Sequence, residues 1–164
     1  MPNTKEIHTE VFVTESIEKI FNTLAVNGAD FPKYFRGFFP LIPSIEEITI
    51  PIDTNIEVGL IRTVRLGDGS LVKERILEHN SPYSQTYEMA EMNSIQKLLF
   101  NNMIGKYTLK QKENQVEVNW DYTFLGKDTF LSRLLLPVVV WGFKKAMKSC
   151  LTNMKAFNEK EVKK

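Results

Sequence analysis

Gln115-Val116-Glu117-Val118-Asn119-Trp120-Asp121-Tyr122-Thr123-Phe124 alternates polar and apolar side chains without a break, and residues 129–159 then switch to a helical period. Period-two alternation describes a strand with one face on a core or cavity and the other in water. In the C-terminal stretch Leu136, Val139, Phe143, Ala146, Cys150, Met154 and Phe157 recur at spacings of three and four, with Lys144, Lys148 and Lys155 opposite. Unbroken, that helix would be roughly 45 Å long at 1.5 Å per residue, enough to cross the whole concave face of a sheet.

Strand patterns continue toward the N-terminus. Lys106 to Lys112 and Gln85 to Ala90 read as strands. From Glu57 to Leu66 the even positions are Val58, Leu60, Arg62, Val64 and Leu66; after Gly67-Asp68-Gly69, Val72, Glu74 and Ile76 share one face. A Gly-Asp-Gly turn between two alternating runs predicts a hairpin. Ile45 to Ile50 follows Pro40 and Pro43 as a further strand, and Ile7 to Val13 opens the chain. Between those two, Thr14-Glu15-Ser16 supplies helix-capping types ahead of Ile17, Ile20, Phe21 and Leu24. Gly28 can end that helix, and Asp30 to Phe35 fits a second short one. One strand, two short helices, about six antiparallel strands and a long helix make an α+β plan with the sheet wrapped around its last helix.

The 164 residues suit one domain, 1–164, with its core at about 7–159. Twenty-one basic and 20 acidic residues give a net charge of +1, so no global field draws in nucleic acid or an anionic membrane. A lone cysteine, Cys150, excludes an internal disulfide framework and makes no demand on an oxidising compartment. Met1-Pro2-Asn3-Thr4-Lys5-Glu6 has no apolar signal core, and a cytoplasmic location is expected. The most apolar stretch, Phe130 to Phe143, is interrupted by Ser132 and Arg133 and is short for a membrane span, so no stable membrane insertion is expected.

Specific residues add a resemblance. Val58-Gly59-Leu60-Ile61-Arg62, then Gly69, then Val72-Lys73-Glu74-Arg75-Ile76 resembles the paired-strand signature of the START/Bet v 1-like (SRPBCC) superfamily. Val116 to Trp120 and Ser149-Cys150-Leu151-Thr152-Asn153-Met154-Lys155 are similar to the polyketide cyclase/dehydrase-like group, which fits best. The resemblance implies the helix-grip fold and an internal cavity between sheet and C-terminal helix for a small hydrophobic molecule. It does not extend to the glycine-rich loop of the Bet v 1 group, where this chain has Pro51-Ile52-Asp53-Thr54-Asn55. Nor does Ile45 to Ile50 hold the anchoring lysine of the hormone-receptor branch.

Arg62 and Glu74 fall on the apolar faces of their strands across one hairpin. A lone buried charge costs several kcal/mol, so each needs a partner. They form either a polar anchor for a ligand or a structural ion pair. Trp120, Tyr122, Tyr87 and Met89, with Leu60 and Val64, line the same concavity as core or as cavity wall. Val139, Phe143, Ala146 and Cys150 supply its floor from the helix, and space is expected near Ala146, the smallest of them. Cys150 reads as a buried hydrophobe, and His8 and His79 as surface residues. No zinc-type spacing, phosphate loop, dinucleotide fingerprint or nucleophile elbow occurs, so no metal and no cofactor are expected. Leu134-Leu135-Leu136-Pro137-Val138-Val139-Val140-Trp141 is apolar nearly all round. Packing under residues 35–43 is the expectation for its second face; a homodimer or a membrane contact during lipid loading are the alternatives. Pro137 either kinks the helix or marks its start.

Three functions are compatible with these residues. The first is a carrier or sensor for a lipid, isoprenoid or aromatic polyketide. The second is a cyclase or dehydratase in which Glu74 moves a proton and Arg62 stabilises an enolate. The third is an interaction protein with a vestigial cavity.

Overall fold

Eleven residues of β1 (Asn3–Val13) lie against β7 (Gln115–Gly126), and this pairing joins the first and last strands into one sheet. The computed structural model describes residues 3–26 and 28–161; Met1, Pro2, Asn27 and residues 162–164, including the first two residues of the expected N-terminal start and the last three of the expected domain, lie outside the described residues. Between β1 and β7 run α1 (Ile17–Phe21), which continues as a π-helical turn over Asn22–Val26, α2 (Phe31–Tyr34), β2 (Ile45–Thr49), β3 (Ile61–Leu66), β4 (Leu71–Asn80), β5 (Ser84–Glu91), α3 (Ser94–Leu99) and β6 (Phe100–Lys112). The chain closes with the 32-residue α4 (Phe130–Glu161). Among the described residues seven strands form one antiparallel sheet in the order β1-β7-β6-β5-β4-β3-β2. The architecture is the expected α+β helix grip.

Sequence pattern accounts for the elements. Every second residue of β7 is buried, from Val116 to Phe124. The Ser16 hydroxyl caps α1 by accepting from the Lys19 amide at 3.3 Å. Thr129 Oγ1 accepts from the Ser132 amide at 3.2 Å, so α4 begins ahead of Pro137 and runs through it. Ser132, buried within the apolar stretch, donates to the Leu99 carbonyl at 2.8 Å. α3 was absent from the sequence reading. A capping box defines it: Asn93 Oδ1 accepts from the Gln96 amide at 2.8 Å, and Gln96 Oε1 accepts from the Asn93 amide at 3.1 Å.

Two alternations end sooner than expected. Val58 is 65% exposed and Leu60 half-buried, because β3 starts only at Ile61. Gly59 adopts φ of 92°, a conformation that favours glycine, and its amide bonds the Ile76 carbonyl at 2.8 Å, bending the chain before the strand. On α4, Leu136, Ala146, Cys150 and Met154 are buried as the period predicts, but Phe157 is 43% exposed, packing its edge on Tyr34. Packing under the loop does not cover the second face of residues 134–141. Trp141 meets Phe38 edge-on at 5.2 Å, whereas Leu134, Leu135 and Val138 stay exposed.

Candidate functional site

The hairpin register puts Arg62 directly opposite Glu74. Arg62 Nε donates to Glu74 Oε2 at 2.7 Å, with both side chains almost sealed from water. Arg62 Nη1 also donates to the Ala25 carbonyl at 3.3 Å, and the guanidinium lies 5.4 Å from the Tyr87 ring centre. That carbonyl, in the π-helical turn, also accepts from Gln85 Nε2 at 3.2 Å. Burial is the largest single influence on Arg62 and works against its charge, but the Glu74 carboxylate, Tyr107 and Tyr87 together outweigh it and keep the guanidinium protonated.

Above the ion pair the strand registers stack aromatic rings. Ile76 faces Tyr87, Tyr87 faces Gly105, Gly105 faces Tyr122, and Tyr107 faces Trp120. Gly105 makes room for this stack, because a Cβ there would overlap the Cζ of Tyr87. Trp120 Nε1 donates to the Tyr87 hydroxyl at 3.0 Å, and the Tyr107 and Trp120 ring centres are 5.0 Å apart. Burial pushes the Tyr87, Tyr107 and Tyr122 phenols well above their ordinary range, with nearby Glu74 adding to the rise for Tyr87 and Tyr122. They are neutral hydrogen-bonding groups at any working pH. Among the described residues no side-chain polar atom that is sealed from water lacks a partner, and no protein group hydrogen-bonds the Tyr122 hydroxyl, so that hydroxyl opens on free space.

The free space is a cavity of about 540 Å³. Arg62, Glu74, Tyr87, Tyr107, Trp120 and Tyr122 form its inner wall, and Val139 and Phe143 close it from α4. The exposed residues of its lining, Arg36, Phe39, Pro40, Gly67, Asp68 and Ile95, mark its mouth, between the loop after α2, the Gly67-Asp68 turn and α3. Arg36 and Asp68 are the charged groups at that rim.

Of the residues singled out in the sequence, Arg62, Val64, Glu74, Tyr87, Met89, Trp120, Tyr122, Val139 and Phe143 all line this one cavity. Leu60, Ala146 and Cys150 do not. Ala146 is fully packed, and α4 lies mainly along β1. The space lies instead toward β3, β4 and β5, where α4 contributes only Val139 and Phe143 to the wall. Burial pushes the Cys150 thiol up, which suits an inert hydrophobe. His79 is half-buried, its Nδ1 2.8 Å from Gln85 Oε1 and its ring against Phe21. The sequence reading missed Phe31, Phe35 and Tyr107 as cavity walls, and α3 as part of the rim. Tyr107 was within reach, since it alternates with Leu109 on a recognised strand, and Asn93-x-x-Gln96 is a capping signature.

A curved antiparallel sheet gripping a long C-terminal helix over an internal cavity is the START/Bet v 1-like fold. Solved structures agree. The di-domain ARO/CYC protein StfQ of the steffimycin biosynthetic pathway superposes with a TM-score of 0.71 at 13% identity, over 98% of this chain and 53% of StfQ, so the chain spans about half of that protein. Truncated norcoclaurine synthase from Thalictrum flavum gives 0.65 at 18% identity over 93% of this chain and 94% of the truncated one. Major latex-like protein 151 from Panax ginseng gives 0.64 at 13%, over 94% and 97%. Neither a family model nor a curated protein matches the sequence.

Proposed function

We propose that the whole chain acts as one binding domain, a carrier or sensor that encloses a small hydrophobic molecule with a polar end. The observation that carries this reading is a largely apolar-walled cavity of about 540 Å³ with the Arg62–Glu74 pair and the unpartnered Tyr122 hydroxyl on its inner wall. Ligand sites typically combine an apolar envelope of this size with a few placed polar groups. A lipid, isoprenoid or aromatic polyketide of modest length fits that chemistry. Unfilled space on this scale weighs against a vestigial cavity. The test is native mass spectrometry of the purified protein with organic extraction. A hydrophobic molecule that co-purifies and is displaced by an apolar fluorescent probe is the expected result; no co-purified molecule and no probe binding would sink the proposal.

A cyclase or dehydratase is the second reading, supported by the Glu74 carboxylate on the cavity wall and by the structural likeness to an ARO/CYC protein. Turnover of a polyketide-like chain that is lost in Glu74→Gln would favour it over the carrier.

A further inference from the structure

The rim of the cavity is ringed by apolar side chains standing in water. Phe39 at the loop tip is 93% exposed, and Ile95 and Leu98 protrude from α3. α3 packs against the first half of α4, whose outer face exposes Phe130, Leu131, Leu134, Leu135, Val138 and Trp141. Leu134, Val138, Trp141, Lys145 and Lys148 follow one another at spacings of four and three, so a single stripe turns from apolar to basic along the helix. Lys145 Nζ sits 5.8 Å from the centre of the Trp141 ring.

Charge says what covers this face. From Thr129 to Asn158 the sequence has Arg133, Lys144, Lys145, Lys148 and Lys155 and no acidic residue. Arg133 is paired with Asp128 and Lys155 with Glu159, whereas among the described residues Lys144, Lys145 and Lys148 have no acidic partner. A second copy docked antiparallel on the stripe would press these lysines onto exposed leucine and valine side chains, with no acidic group on the stripe to neutralise them. An anionic lipid surface satisfies both halves of the stripe: the apolar side chains and Trp141 enter the acyl–headgroup boundary while the lysines meet phosphate. No helix among the described residues is long and apolar enough to cross a membrane, so the contact is interfacial.

We infer that the α3–α4 face and the loop tip dock this protein on anionic lipid bilayers, with the cavity mouth turned to the membrane. Resting on the carrier reading, the inference assigns the place of ligand exchange: the hydrophobic cargo passes between bilayer and cavity without crossing bulk water.

The experiment is sedimentation of the full chain with vesicles of phosphatidylcholine alone or mixed with phosphatidylglycerol, at low and high salt. Binding to the anionic vesicles only, weakened by salt and accompanied by a blue shift from half-exposed Trp141, is expected. Leu134→Glu/Val138→Glu, at two exposed positions that do not line the cavity, should reduce that binding by about tenfold or more while far-UV circular dichroism and probe uptake without vesicles stay unchanged. Lys145→Glu/Lys148→Glu gives an independent charge-reversed variant should the first misfold. No binding to anionic vesicles, equal binding to neutral ones, or variants that bind like the parent overturns the inference. A concentration-dependent dimer that buries Trp141 without vesicle binding also overturns it and gives the face to a second copy. Vesicle binding by a parent chain that takes up no probe would leave docking standing and refute the carrier reading alone.

Discussion

Arg62 Nε and Glu74 Oε2 lie 2.7 Å apart on directly opposed residues of β3 and β4, an ion pair sealed from water on the wall of an otherwise mostly apolar cavity. Removing one partner strands the other charge, whereas removing both leaves an apolar pair. Arg62→Leu or Glu74→Leu should each cost about 3–5 kcal/mol, and the double replacement clearly less than their sum. Denaturant unfolding of the four proteins measures the coupling; additive losses would refute it.

The buried phenols of Tyr87, Tyr107 and Tyr122 and the Cys150 thiol all have folded pKa values above their unfolded ones. Groups raised in this way stabilise the fold fully below the unfolded pKa. Above it the unfolded chain releases protons that the folded chain retains. Stability should therefore hold to about pH 8 and then fall, by up to about 1.4 kcal/mol per pH unit for each group once its unfolded pKa is passed. Spectrophotometric titration should show these three tyrosines ionising only as the protein unfolds. Ionisation of all tyrosines in a folded chain at pH 11 would contradict the sealed site.

A methyl group at Gly105 has nowhere to go but into Tyr87. Gly105→Ala should cost about 1–3 kcal/mol by displacing the ring, and with it the Trp120–Tyr87 hydrogen bond. Adding Tyr87→Leu should recover part of the loss. Thermal denaturation of the single and double variants decides it, and a neutral Gly105→Ala would show that the stack has slack.

Empty space and packed core answer a large side chain differently. Val139→Phe points bulk into the cavity and should keep the melting temperature while blocking apolar probe binding. Ala146→Trp meets close packing and should destabilise by about 1–3 kcal/mol or more. The reverse pattern would move the cavity back under Ala146.

The contrast between Val139 and Ala146 also marks how far the sequence could be read. Helical spacing tells which residues face the sheet, and both do. It carries no information on how closely the helix approaches each strand, so void and contact look alike. Arg62 and Glu74 were legible for the opposite reason: period-two alternation makes a charge on an apolar face conspicuous, and a short turn fixes the register. Val58 misled because the alternation continues through Gly59, where the backbone in fact bends. Residues 36–44 and Asn93 to Gln96 have no period at all, and the rim they build follows from tertiary packing. That Leu134 and Val138 stay exposed was equally hidden, since an apolar residue does not announce what covers it.

The pairing of β1 with β7 has a consequence for the order in which the fold is made. Asn3 meets Gly126 and Val13 meets Val116, partners more than a hundred positions apart. β1, made long before β7, thus waits for it before the two can bond, while β3, β4 and β5 hairpin together from local contacts. Closing so long a loop is entropically expensive and comes late. Until then β1 travels as an unpaired edge, with Phe12 and Val11 open to other chains. Chaperone dependence and aggregation during synthesis should therefore concentrate in nascent chains that stop short of Gln115.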